Sequence, residues 1–176
     1  MMRQPWLVLG LCALLLATAA SAGPAAAQVP SARFITPAQL KATLASHKGR
    51  VVVLHFWATW CLPCLKELPQ LAKLAHEASS RGIDFLPVSL DDATERSAAL
   101  VGRVLAAKTG NPQWSPILNT DYVEDLVADL VPSWEGEIPA FFAYDREGHL
   151  RRTLVGNLSR GDFERLVGDL LSPDRR

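Results

Sequence analysis

Two cysteines separated by two residues, Cys61 and Cys64 in the segment WCLPC, are the side chains of this sequence best suited to chemistry. Thiols at this spacing form a redox-active disulfide, a structural disulfide or part of a metal site. A structural disulfide that closes so short a loop removes little entropy from the unfolded chain, so this role is disfavoured. The remaining cysteine, Cys12, lies far upstream in an apolar stretch.

The paired cysteines lie where a predicted strand is followed by a predicted helix. The apolar, β-branched run RVVVLHFW precedes them, and leucines at helical spacing follow them. The first turn of a helix carries unpaired N–H groups, which stabilise a thiolate and lower its pKa. We therefore expect Cys61 to attack substrates and Cys64 to resolve the mixed disulfide. Pro63 is tolerated between them because its missing N–H falls in that first turn.

Strand and helix patterns alternate along the rest of the chain. Strands are predicted over residues 50–57, 82–90, 115–118, 138–145 and 149–156. Helices are predicted from an N-cap at Thr36 to Gly49, over 61–80 with a kink at Pro69, from Asp91 to Gly110, over 120–131, and from Ser159 to 171. This order indicates an α/β fold with a partly parallel sheet, which a final antiparallel hairpin makes mixed. The cysteines then lie at the carboxyl end of a central strand, where open α/β sheets place their sites.

Composition and the N-terminal segment bear on location. The chain has 176 residues and a formal net charge of +0, which gives no broad basic surface for nucleic acid. No charge occurs between Arg3 and Arg33, and small residues follow the apolar middle of this stretch. We interpret residues 1–27 as a signal peptide and residues 28–176 as one domain, with an uncleaved membrane anchor as the rival interpretation. An extracytoplasmic, for example periplasmic, location favours an oxidised cysteine pair.

The segments FWATWCLPC and EIPAFFAYDREGHLRRTLVG resemble the thioredoxin superfamily, and within it the exported TlpA/ResA-type thiol-disulfide oxidoreductases. The resemblance implies a thioredoxin fold with a mixed central sheet flanked by helices, and an αβ insertion within residues 91–137, before the cis-proline strand. It implies that Pro139 is cis and faces the cysteines, and that the backbone of Ile138 pairs with the bound partner. Trp60 flanks the pair, and the segment CLKELP places Glu67 as a buried acid that tunes the thiols.

The resemblance also implies an activity and its partners. It favours a reductase of disulfides in exported proteins such as cytochrome c apoproteins, re-reduced by a membrane electron donor. No cofactor other than the Cys61–Cys64 disulfide is expected. An oxidant that introduces disulfides is the alternative, and a non-enzymatic binding module of the same fold is another.

His55 departs from the family, which often has asparagine there, while thioredoxins have a buried aspartate. It is interpreted as a satisfied core histidine or as a group beneath the thiols that shifts their pKa or shuttles a proton. A copper metallochaperone is a further alternative in which His55 would be the third ligand, although such carriers usually space their cysteines by three residues. Trp114 and Trp134 are interpreted as core filler or as the rim of a partner site.

Overall fold

The computed structural model describes residues 31–119 and 130–171, so the predicted signal peptide and nearly all of the helix predicted over 120–131 lie outside the described residues. The described part forms a six-stranded sheet in the order β1-β4-β3-β2-β5-β6. Its strands are β1 (Phe34–Ile35), β2 (Val51–Trp57), β3 (Ile83–Ser89), β4 (Ile117–Leu118), β5 (Ala140–Tyr144) and β6 (Leu150–Val155). The first four are mutually parallel, whereas β5 is antiparallel to β2 and β6. The predicted mixed sheet is confirmed.

Within residues 31–119 and 132–171, this sheet is accompanied by the helices α1 (Pro37–Ser46), α2 (Leu62–Ser79), α3 (Glu95–Thr109) and α4 (Arg160–Val167), the last followed by a 3₁₀ turn (Gly168–Leu171). The predicted N-caps are confirmed at α1 and α4. The side chain of Thr36 accepts from the N–H of Gln39, and that of Ser159 accepts from the N–H of Asp162. The helix predicted from Ser159 to 171 is α-helical only as far as Val167, and its last four residues form the 3₁₀ turn.

The prediction that α3 begins at Asp91 is wrong. The helix begins at Glu95, because the side chain of Thr94 accepts the N–H of Ser97 and acts as the N-cap. The carboxylate of Asp91 is instead buried in a hydrogen-bond network described below. The predicted end of α3 is confirmed at Gly110, which has the left-handed φ of 76° that favours glycine.

Core side chains cover both faces of β2, since every residue of this strand is buried. One face packs against α1 through a cluster that contains Leu40, Leu54 and Phe142. The other face packs against α2 and α4 through a cluster that contains Val53, Leu71 and Phe163. A central strand buried on both sides holds the start of α2 against its carboxyl end, and this fixes the position of the cysteines.

The two tryptophans of the second half of the chain lie in or against the core. Trp134 is buried with its ring centroid 4.9 Å from that of Phe56, and its indole N–H donates to the carbonyl of Glu137. Trp114 stacks on Phe85 with ring centroids 6.1 Å apart. Of the two interpretations, core packing describes Trp134.

Candidate active site

Cys61 is the N-cap of α2 and forms a disulfide with Cys64. Its sulfur accepts the N–H of Cys64 at 3.3 Å, so the side chain takes the place that a serine or aspartate oxygen fills in an ordinary N-cap. Pro63 lies in the first turn of the helix, where its missing N–H costs no hydrogen bond. When the pair is reduced, this arrangement directs an N–H donor and the positive end of the helix dipole at Cys61.

The two sulfurs differ in their access to solvent. Cys61 is 5% exposed and Cys64 is 0% exposed, so a partner reaches the first cysteine more readily. The side chains on either side of Cys61 are the most exposed large apolar groups among the described residues, with Trp60 at 67% and Leu62 at 62%. The geometry therefore presents one sulfur within an apolar surface and keeps the other behind it.

The peptide bond between Ile138 and Pro139 is cis, as the resemblance implied. The Sγ atom of Cys61 lies 3.8 Å from the carbonyl oxygen of Ile138. The carbonyl of Pro139 accepts the N–H of Gly156, which ties this segment to the end of β6. Ile138 therefore places a backbone carbonyl beside the accessible sulfur.

Glu67 is buried in α2 one helical turn after Cys64, and its Oε2 accepts the N–H of Leu158 at 3.1 Å. Burial raises the pKa of this carboxyl to about 7, against the smaller lowering effect of the bond from Leu158. A residue three positions further along a helix lies on the same side as the first, so Glu67 and Cys64 share the buried side of α2. The site thus contains an acid that titrates near neutral pH.

His55 is fully buried on β2, where its ring stacks on Phe141 with centroids 4.3 Å apart. Its Nδ1 lies 3.2 Å from the carbonyl oxygen of Ala140, and its Nε2 lies 3.9 Å from Oε1 of Glu67. Burial lowers the pKa of this imidazole to about 3, against the raising effect of Ala140. His55 is therefore a neutral core group at ordinary pH, and it faces the acid of the site.

Asp91, predicted only as the start of a helix, also belongs to the site. Its carboxylate accepts the N–H of Thr59 at 2.9 Å, the hydroxyl of Thr59 and the hydroxyl of Ser89 at 2.6 Å. These bonds connect the end of β3 to the loop that carries Trp60 and Cys61. An acid directly after a predicted strand is a signal that the sequence contains, but the partners of Asp91 are decided by the parallel pairing of β2 and β3.

Metal ligands do not converge in the described residues: no group of three or more His, Cys, Asp or Glu side chains there is arranged to hold a metal ion. Nε2 of His55 points toward Glu67. Within residues 31–119 and 130–171, no helix has the length and apolar character needed to cross a bilayer.

Comparison with known proteins identifies the family of this chain. Residues 26–153 match the AhpC/TSA family. The thiol-disulfide oxidoreductase ResA of Geobacillus kaustophilus is 27% identical over 125 residues, 69% of this chain and 64% of that protein. The sporulation thiol-disulfide oxidoreductase A of Bacillus subtilis is 26% identical over 114 residues, 64% of each chain. The match therefore spans just under two thirds of the length of these relatives.

A solved structure supports the same relationship. The crystal structure of a thioredoxin-family thiol:disulfide interchange protein from Chlorobium tepidum superposes with a TM-score of 0.55 and 26% sequence identity. The superposition covers 73% of this chain and 84% of that chain.

Proposed function

The chain belongs to the AhpC/TSA family and has the thioredoxin fold, and from this premise we propose that it is a thiol-disulfide oxidoreductase. In this function Cys61 and Cys64 alternate between a disulfide and a dithiol. The observation that supports it is the position of Cys61 as the N-cap of α2, with the N–H of Cys64 directed at its sulfur. A thiol placed there has a lower pKa than an ordinary cysteine, so a larger fraction of it is present as the reactive thiolate.

In the reducing direction, the thiolate of Cys61 attacks one sulfur of a substrate disulfide. A mixed disulfide forms, and the other substrate sulfur leaves with the electron pair and takes up a proton. Cys64 then loses its proton and attacks the sulfur of Cys61, which releases the second substrate thiol. Two electrons have moved to the substrate, and the Cys61–Cys64 disulfide remains. The carbonyl of Ile138 and the side chains of Trp60 and Leu62 border the position of the substrate.

Glu67 favours the reducing direction. A carboxylate beside the sulfurs opposes a second negative charge, so it raises the pKa of the thiols. Strong oxidants of this kind owe their potential to a stabilised reduced form, and this carboxylate works against that stabilisation. The Cys61–Cys64 dithiol is therefore a better electron donor than it would be without this carboxylate. The alternative function is that of a net oxidant, which introduces disulfides.

The proposed substrates are disulfides of exported proteins, such as cytochrome c apoproteins, and a membrane electron donor would re-reduce the cysteines. These partners and the extracytoplasmic location follow from the resemblance of the cysteine segment and from the signal-peptide pattern of residues 1–27.

Reduction of insulin disulfides by dithiothreitol, followed as turbidity, tests the activity. The wild-type protein is expected to accelerate the reaction and Cys61→Ser to abolish the acceleration. Cys64→Ser should trap a mixed disulfide through Cys61 that is visible by mass spectrometry. An equal acceleration by Cys61→Ser would refute the function.

Equilibration with glutathione tests the direction. We expect a potential well below that of the strong oxidants, which lie near about −120 mV. Glu67→Gln should move the couple toward oxidising values and lower the pKa of Cys61. A wild-type potential in the oxidant range would favour the alternative direction.

A further inference from the structure

Two buried side-chain atoms behind the disulfide have no hydrogen-bond partner among the described residues: Nε2 of His55 and Oε1 of Glu67. They lie 3.9 Å from each other, with side-chain exposures of 0% and 7%. Buried polar atoms in folded proteins are nearly always paired, so this coincidence calls for an explanation. A movement of about 1 Å would bring the two atoms to hydrogen-bond distance.

The surrounding bonds decide which of the two atoms carries a proton. The carbonyl oxygen of Ala140 can only accept, so Nδ1 of His55, 3.2 Å away, is the protonated nitrogen of a neutral imidazole. Nε2 is then a lone pair that needs a donor. Oε2 of Glu67 already accepts the N–H of Leu158, which leaves Oε1 as the oxygen that can carry a proton toward Nε2.

An ion pair between imidazolium and carboxylate is the other way to join these groups. It requires two charges in a place that solvent does not reach, one of them on a ring stacked on Phe141. Burial shifts both groups toward their neutral forms, lowering the pKa of His55 to about 3 and raising that of Glu67 to about 7. A neutral acid that donates to a neutral imidazole satisfies both atoms without charge.

We propose that His55 is a positioning residue that accepts a hydrogen bond at Nε2 from protonated Oε1 of Glu67, and that this bond sets the pH at which the carboxyl group gives its proton to Cys64 or takes it back. The effect on Cys64 rests on the proposed disulfide exchange, whereas the hydrogen bond itself does not. His55 lies on β2 and Glu67 on α2, so the packing of this helix against this strand brings the two side chains together.

When a donor thiolate attacks Cys61, the Cys61–Cys64 bond breaks and Cys64 leaves as a thiolate with the electron pair. It takes the proton of the Glu67 carboxyl group, which becomes a carboxylate. When Cys64 later attacks Cys61 in a mixed disulfide, its proton returns to Glu67 and the bond to His55 forms again.

Other groups around the pair do not supply this proton. The neighbours of His55 on β3 and β5 are Phe85, Pro87 and Phe141, and Leu158 offers a backbone N–H. None of these titrates. On α2, Lys66 is exposed, and the titratable groups of the buried side are Glu67 and, when reduced, Cys61 and Cys64.

Nuclear magnetic resonance of the oxidised wild-type protein tests the hydrogen bond without any assay of activity. We expect the imidazole of His55 to be neutral with its proton on Nδ1. The ¹⁵N shift of Nε2 should step at the same pH as the carboxyl ¹³C shift of Glu67, and Glu67→Gln should remove that step. A proton on Nε2, or an Nε2 shift that stays flat while Glu67 titrates, would overturn the proposal.

Two variants separate hydrogen bonding from packing. His55→Phe keeps a ring against Phe141 but lacks Nε2, so the titration midpoint of Glu67 should move to lower pH. Phe141→Leu removes the stacked ring but leaves Nε2 in place, so its midpoint should stay near that of the wild type. Equal shifts in both variants would assign His55 to packing alone. If instead Cys61→Ser keeps full insulin-reducing activity, the proposed function fails while the resonance result on the pair still stands.

Discussion

At the scale of single residues, Cys61 and Cys64 differ in what surrounds their sulfur atoms. The sulfur of Cys61 receives the N–H of Cys64 and is the more exposed of the two, whereas Cys64 is completely covered. In the reduced protein we expect iodoacetamide at mildly acidic pH to modify Cys61 well before Cys64, because the thiolate is the reactive form. Mass spectrometry of peptides from a time course measures the order, and faster labelling of Cys64 would reverse the assigned roles.

His55 and Glu67 should impose opposite pH dependences on stability. Burial lowers the pKa of His55 from 6.5 to about 3, so its contribution is full above pH 6.5 and is lost as the pH falls toward 3. Burial raises the pKa of Glu67 from 4.5 to about 7, so its contribution is full below pH 4.5 and is lost as the pH rises through 7. The two effects cancel where these windows overlap.

Single variants should expose each effect in the oxidised protein. Relative to the wild type, the unfolding free energy of Glu67→Gln should rise with pH between pH 5 and 6, and that of His55→Phe should fall, each by about 1 kcal/mol per pH unit. Urea unfolding at several pH values measures both slopes. Parallel curves for the two variants would contradict the assignment.

At the scale of elements, Asp91 holds the active-site loop to the end of β3 by accepting from Thr59 and Ser89. Asp91→Asn replaces one acceptor oxygen by a donor, so we expect a loss of about 1–3 kcal/mol in unfolding free energy. Insulin reduction should slow as well, because this loop carries Cys61. Asp92→Asn changes the exposed neighbour and serves as the control, and equal losses in both variants would argue against the buried network.

Which elements the sequence predicts depends on how much pattern each contains. The strand β2 and the helix α2 are long and strongly patterned, and their prediction is confirmed. The two-residue strand β1 is too short to leave a periodic signal, and it was missed. The true start of α3 was missed because Asp91 and Asp92 suit the first turn of a helix as well as a loop.

The sequence predicts several residues of the site, but it does not predict the contacts between them. The CxxC pattern identifies both cysteines, and the resemblance identifies Glu67 and Pro139. That Nε2 of His55 faces Oε1 of Glu67 depends on how α2 lies across β2. No local sequence pattern predicts this crossing, because His55 and Glu67 belong to two elements whose hydrophobic patterns are independent of each other.

At the scale of the whole molecule, the accessible sulfur lies in an apolar surface formed by Trp60 and Leu62. A folded or unfolded protein substrate can cover these side chains, whereas a small disulfide reaches only the sulfur. Trp60→Ala should therefore slow insulin reduction several-fold and leave reduction of oxidised glutathione nearly unchanged. Leu100→Ala removes another exposed apolar side chain, on α3, and is the control. An equal loss with both disulfides would place Trp60 in the chemistry rather than in docking.

The two edges of the sheet bear on how the molecule behaves in a concentrated solution. In the described part of the chain, one edge strand, β1, has only two residues. The other, β6, carries Arg151 and Arg152, which pair with Asp145 and Asp169. Short or charged edges are poor templates for intermolecular strand pairing. The protein can therefore expose the apolar side chains of Trp60 and Leu62 beside Cys61, while the edge strands β1 and β6 are poor templates for aggregation.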